Sequence, residues 1–377
     1  MKNEKHNSSC AFHHHASRRE FLTIIGAAGA MAAFPSLVGA QQRRGAASSP
    51  QRPYRIDTHH HIFPPVYLGK HHDEIVGRTT RSGRVIEAWT PAKDVTAMDE
   101  AGIEVAVTSL STPGVWFGNQ AEARELARKC NEYGAQIKRD FKGRYGSFAT
   151  LPLPDVDGSL KEIEYIYDVL KADGIGLMSS ITHNGQDIWP GDKRLSPVFD
   201  ELNRRKATVY FHPTGPSCCV NLEYGLAQSA IEFPTDTTRA IVSLVLSGTT
   251  IRCPDIKFIF SHGGGSITSL LGKISAPERD KKIDEAAPHG LLNEYRRHYY
   301  DVVSITRNPY SFKAVPYAFE AIRDMAGINH LLFGTDAPYA SQVEAGQDLA
   351  ALGLSLDDQL AIERENALRL LPTLRRA

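Results

Sequence analysis

The chain has 377 residues, 42% of them hydrophobic and 23% charged, which is enough for a full core in one large or two modest domains. Lys and Arg number 43 against 43 Asp and Glu, so there is no basic field to hold nucleic acid and no acidic tail of the disordered kind. These numbers leave a small molecule as the expected partner.

The first forty residues differ in character from the rest. Ser17-Arg18-Arg19-Glu20-Phe21-Leu22 precedes an apolar stretch running to Phe34, and Val38-Gly39-Ala40 offers a small-residue cleavage site. Residues 1–40 therefore read as a twin-arginine export signal, with a periplasmic destination for the mature protein. A membrane anchor is the competing reading, but the stretch is rich in Gly and Ala and short for roughly 30 Å of hydrocarbon. His13, His14 and His15 lie in this leader and would be lost with it. Residues 41–52 read as a flexible linker, the folded domain is expected over 53–371, and 372–377 reads as a tail. Cys10 belongs to the leader. Cys130, Cys218, Cys219 and Cys253 are too sparse for a disulfide framework, and the adjacent pair lacks the spacing of a zinc site.

Beyond the linker, eight short β-branched or aromatic runs alternate with longer helical patterns. The predicted strands cover 55–59, 105–110, 145–151, 174–179, 208–212, 257–261, 299–303 and 330–334; the predicted helices cover 92–101, 119–139, 159–171, 196–205, 237–249, 266–275, 311–326 and 356–370. Eight of each in alternation is the arithmetic of a (β/α)8 TIM barrel. A doubly wound open sheet would alternate too, but no Gly-rich phosphate fingerprint opens the first helix. Three connections, 62–91, 180–196 and 213–236, are longer than barrel turns require. All follow strand ends, so they are expected to wall the catalytic face rather than form a second domain.

The chemistry gathers at the strand ends. Asp57-Thr58-His59-His60-His61 closes the first strand, and the period-two geometry of a strand sends His59 and His61 one way and His60 the other. His212 closes the fifth strand, His262 follows the sixth, and Asp336 follows the eighth. Each has a bland reading when taken alone: an HxH satisfied in the core, a histidine bonded to backbone, a helix N-cap, the start of a Gly-rich turn. Jointly they place ligand-type side chains at one barrel mouth, where residues far apart in sequence share a site. Imidazoles with a carboxylate suit a catalytic divalent ion.

With these residues the chain resembles the amidohydrolase-related superfamily, in the branch of aminocarboxymuconate-semialdehyde, resorcylate and 6-methylsalicylate decarboxylases. The resemblance runs from about Tyr54 to Leu370 through IDTHHHIFPP, SLSTPGVWFG, YFHPTG, EFPTDTTRAIVSLVLSGT, FSHGGG and FGTDAPY. It implies a metal held by His59, His61, His212 and Asp336, with Asp336 and His262 catalytic and His60 excluded. It also implies a homodimer, a zinc ion with manganese as the alternative, and no organic cofactor. There is a departure: where the semialdehyde branch lends an arginine to the neighbouring subunit, this chain has Lys273, which lacks the bidentate fork. Arg239 is a further substrate-binding candidate, and Phe63, Trp116, Phe117 and Trp189 would line the pocket if they face inward.

The implied reaction is non-oxidative decarboxylation of a small aromatic or unsaturated acid such as a 2-hydroxybenzoate, Asp336 delivering the proton and His262 holding the phenolic oxygen or relaying protons. Hydrolysis of an ester, lactone or amide would use the same residues, with the ion activating water. A binding protein without turnover is the third reading.

Overall fold

Eight strands, β1 (Arg55–His61), β2 (Ile103–Ser109), β3 (Tyr145–Thr150), β4 (Gly174–Met178), β5 (Thr208–His212), β6 (Lys257–Phe260), β7 (Tyr299–Asp301) and β8 (Leu331–Leu332), lie side by side in chain order, every ladder parallel. The seam between β1 and β8 is closed by single bonds rather than a ladder: Thr58 N donates to Phe333 O at 2.9 Å, Asp336 N to His59 O at 2.8 Å, and His61 N to Ala337 O at 2.8 Å. This is the expected TIM barrel, seen in a computed structural model that describes residues 54–77, 83–219, 226–275, 281–307 and 315–375. The twin-arginine segment and the linker lie outside the described residues.

The helices α1 (Pro91–Glu100), α2 (Gln120–Asp140), α3 (Val156–Tyr165), α4 (Ser196–Arg204), α5 (Gln228–Leu246), α6 (Ile267–Ile274) and α7 (Val315–Ala326) follow successive strands from the β1 connection onward. Their starts are written locally. Thr90 accepts from Lys93 N ahead of Pro91, Asn119 accepts from Glu122 N, and Asp155 accepts from Gly158 N, each satisfying a donor that the first turn leaves open.

Several boundaries differ from expectation. Helix α5 starts nine residues before the predicted 237, because Pro234 sits inside the helix instead of ending it. Proline removes one N–H there, while Thr237 and Thr238 turn their hydroxyls back onto the carbonyls of Phe233 and Pro234 at 3.0 Å each. The connection 62–91 carries two helices, Pro65–Gly77 and Gly83–Ala88, and the connection after β4 carries a hairpin, Ile181–His183 with Gln186–Ile188. The predicted start of the helix at 311 lies outside the described residues.

The barrel interior is filled by Ile56, Val105, Val107, Phe148, Tyr210, Ile259 and Leu332, and this cluster continues into Leu368, Leu370, Leu371 and Leu374. The C-terminal residues therefore plug the end of the barrel opposite the site. Residues expected to be a tail take part: Pro372–Leu374 forms a 3-10 turn, and Thr373 Oγ1 donates to Asp173 at 2.6 Å.

Candidate metal centre

β1 must send Ile56 into the barrel interior and, higher up, His59 and His61 as well, which a strict alternation cannot do. The β1–β2 register solves this by pairing Asp57 with Ala106 and His60 with Thr108, so β1 carries one extra residue between the two pairs. Such a bulge shifts the phase of the strand and re-aims its side chains beside a site. Above it, His59, His61 and His212 from β5 meet Asp336 from the turn after β8, with one ligand-type atom from each within 4.8 Å of all the others.

The donor set fits one divalent ion. His59 Nε2 and His61 Nε2 stand 3.2 and 3.1 Å from Asp336 Oδ1. His59 Nε2 and His212 Nδ1 are buried without a hydrogen-bond partner, an expensive condition unless a cation takes their lone pairs. Three imidazoles and a carboxylate are what zinc, and other borderline divalent ions, accept.

The surroundings orient these ligands. Asp301, at the end of β7, receives His59 Nδ1 at 2.9 Å on one oxygen; its other oxygen accepts His262 N at 2.9 Å and Val303 N at 3.1 Å. A carboxylate behind a ligating imidazole fixes its tautomer and ring plane. His61 Nδ1 faces Ser109 O at 3.4 Å. Burial by itself would lower the His59 pKa, but Asp301 and Asp336 outweigh it and push the ring up to about 10. Burial and the neighbouring His61 and His59 hold His212 well below the ordinary histidine range. At Asp336 burial works towards protonation, yet the His59 charge and the His262, His59 and His61 donors hold the carboxyl well below its usual range.

His262 Nε2 lies 3.8 Å from Asp336 Oδ2. Both residues occupy the left-handed region, with φ of 54° and 61°, a costly backbone for non-glycine residues and one found at functional sites. The glycines after His262 permit this turn: a Cβ on Gly265, φ +68°, would stand 2.0 Å from Pro234 O, so α5 approaches closer than any side chain allows.

His60 points away from the centre. Its Nδ1 meets Asp57 Oδ2 at 2.9 Å and its Nε2 meets Asp94 Oδ2 at 2.8 Å. Asp94 also accepts from Tyr145 Oη and from Gln342 Nε2, both at 2.9 Å, and Asp57 binds Thr335. Burial would depress His60, but the two carboxylates push it up to about 10. The middle histidine is thus a buried cation that ties β1 to α1 and the β8 turn.

A cavity of about 650 Å³ opens over His212, His262 and Asp336, with Ser111, Phe233, Val303, Tyr339 and Arg307 among its walls. That size suits a small ligand. The other candidates from sequence lie elsewhere. Phe63 is buried behind the wall, edge-on to Tyr339 at 5.9 Å and to Trp89 at 6.3 Å. Trp116 and Phe117 line a neighbouring cavity of about 410 Å³ over β2, β3 and β4, marked off from the first where Thr112 Oγ1 meets Thr214 Oγ1 at 2.8 Å. Trp189 binds Asp236 at 2.8 Å, and Arg239 lies 3.9 Å from the same carboxylate, lining neither cavity. Lys273 is exposed on α6 and lines neither cavity. Sequence reading missed Asp301, although it is a carboxylate at a strand end like the others, and Arg307, which follows the same strand.

Residues 56–373 match the amidohydrolase family. The chain belongs to that family. Among its relatives are the decarboxylase yanB of Aspergillus niger, 31% identical over 84% of this chain and 87% of that one, and the 6-methylsalicylic acid decarboxylase of Penicillium expansum, 31% identical over 85% and 97%. A dihydroxybenzoic acid decarboxylase from Polaromonas, solved with manganese and 2-nitroresorcinol, shares the fold at TM-score 0.72, with 19% identity over 86% of this chain and 98% of that one.

Proposed function

We propose that this amidohydrolase is a metal-dependent, non-oxidative decarboxylase of a 2-hydroxybenzoate of the 6-methylsalicylate kind. The observation that carries this reading is the convergence of His59, His61, His212 and Asp336 under a cavity that also holds His262 beside Asp336. The decarboxylase names of relatives matched over most of their length support the substrate class.

A divalent ion in this site, zinc or, as the alternative, manganese, would orient the acid and neutralise its carboxylate and phenolic oxygens. The chain's own residues do the rest. Asp301 and Ser109 hold the ligating rings in place, and Phe233, Val303 and Tyr339 offer apolar surface to an aromatic ring. The bond from the ring to the carboxylate breaks, its electron pair stays on the ring carbon, and one proton must arrive there as carbon dioxide leaves. Asp336 is the placed donor. Because it rests as a carboxylate, it must first take up that proton, and His262 Nε2 is the group positioned to pass it to Oδ2.

The test is a panel of hydroxybenzoates offered to metal-loaded protein, with carbon dioxide and the decarboxylated phenol measured. Release of both in equal amounts is expected; turnover of esters or lactones alone would overturn the reading. Export by the twin-arginine route belongs to the same proposal, motivated by Ser17-Arg18-Arg19-Glu20-Phe21-Leu22. Replacing Arg18 and Arg19 together by Lys should leave the protein in the cytoplasmic fraction, and unchanged export would refute that route. We further expect a homodimer in solution, with exposed Lys273 as the side chain available to a partner; a monomeric mass by light scattering would exclude it.

A further inference from the structure

Directly after the strand end that carries His212, Ser217–Cys219 forms a single 3-10 turn. The turn is fixed from outside: the Asp187 carboxylate accepts Ser217 N at 3.0 Å, Ser217 Oγ at 3.1 Å, Cys218 N at 3.3 Å and Thr182 Oγ1 at 2.6 Å. Cys219 N donates to Pro216 O at 3.2 Å. Within this clamp the sulfurs of Cys218 and Cys219 lie 2.9 Å apart, one side chain exposed and the other buried. The folded backbone has already brought two thiols together, so little further ordering is needed to join them.

We propose that Cys218 and Cys219 are a reversible dithiol–disulfide pair, a modification site whose reactant is a low-molecular-weight disulfide such as oxidised glutathione. Exposed Cys218, as its thiolate, attacks one sulfur of the external disulfide, breaks the sulfur–sulfur bond and expels one glutathione thiolate. Cys219 then loses its proton, attacks the Cys218 sulfur and expels the second. Two electrons pass from the cysteine pair to the oxidant, and the two protons end on the two glutathione thiols. The order of attack follows from the surroundings: the hydrogen bond with Cys218, burial and the Glu232 carboxylate push the Cys219 thiol up to about 11, which makes it the resolving partner. Neighbouring residues hold their Cα atoms only ~3.8 Å apart, closer than the roughly 4.4–6.8 Å usual for a disulfide, so the bond is easily reopened.

The pair also touches the catalytic face. The Glu232 carboxylate on α5 stands near enough to the Cys219 thiol to help raise its pKa, and the neighbouring Ser229, Phe233 and Pro234 line the cavity over the metal centre. Oxidation removes the thiol proton that faces this buried carboxylate, a change that loosens the first turns of α5.

The experiment treats the reduced full chain with oxidised glutathione, alkylates remaining thiols in denaturant, and weighs the peptides. The peptide holding both cysteines should lose two hydrogens and take no alkyl group, with dithiothreitol restoring both thiols. Cys219→Ser should trap a glutathione adduct on Cys218. Full alkylation of both cysteines at every glutathione ratio, or an adduct on wild-type Cys218 that never closes, would overturn the pair. Amide exchange over residues 228–234 should rise several-fold in the oxidised protein; unchanged exchange would break the link to the cavity wall. Neither readout depends on the decarboxylase reading.

Discussion

The two sides of the barrel mouth are built alike and equipped differently. β2, β3 and β4 end in Ser109, Thr150 and Met178 and border a cavity lined by Trp116, Phe117, Leu151 and Leu153, while β1, β5, β6, β7 and β8 lead into His61, His212, His262, Asp301 and Asp336. Both sides are parallel strands of one barrel, but β1 on the active side carries the bulge that re-aims His59 and His61, whereas the β2–β3 and β3–β4 ladders run in regular register. What decides where chemistry occurs is the choice of side chain at the end of each strand, together with that bulge and with backbone strain, which at the active side falls on His262 and Asp336 themselves.

Substitutions that test this asymmetry run from severe to slight. Asp336→Asn removes both a ligand and the proton donor, and kcat should fall by roughly 100- to 10,000-fold or more; turnover of hydroxybenzoate near the wild-type rate would dissolve the contrast. Asp301→Asn keeps the shape but spoils the hold on His59, and a metal-binding titration should show affinity reduced by about 10- to 100-fold. His60→Asn leaves Asp57 and Asp94 buried without their shared cation, so urea unfolding should report a loss of about 3–5 kcal/mol. Ion occupancy of the folded His60→Asn protein should persist, and its disappearance would make His60 a ligand after all. Trp116→Ala, on the other side, should leave kcat/KM on a hydroxybenzoate within a few-fold of wild type; a loss as large as that of Asp301→Asn would move the substrate into the second cavity.

Much of the active side was legible in the sequence because its signals are local. The β-branched runs 55–59 and 208–212 marked strand ends, and period two correctly separated His60 from His59 and His61. The bulge itself was not legible, because it shows only in how β1 pairs with β2. Pro234 misled for a physical reason: besides the local hydroxyl bonds of Thr237 and Thr238, its carbonyl is taken by Ser266 N from the glycine turn after β6, a contact distant in sequence. Aromatic residues in the long connections carried no directional signal, so Phe63 and Trp116 could be named but not aimed. Asp301 carried the same signal as the recognised ligands, a carboxylate closing a strand, and went unread because its work is done through His59.

The most direct test is the metal content of chelated and reloaded protein, measured on the wild type and on a His212→Ala, Asp336→Ala double variant that is shown to be folded. The account predicts one divalent ion per wild-type chain and none in the variant. A full complement of ion in the variant, or none in the wild type under saturating manganese and zinc, would contradict it.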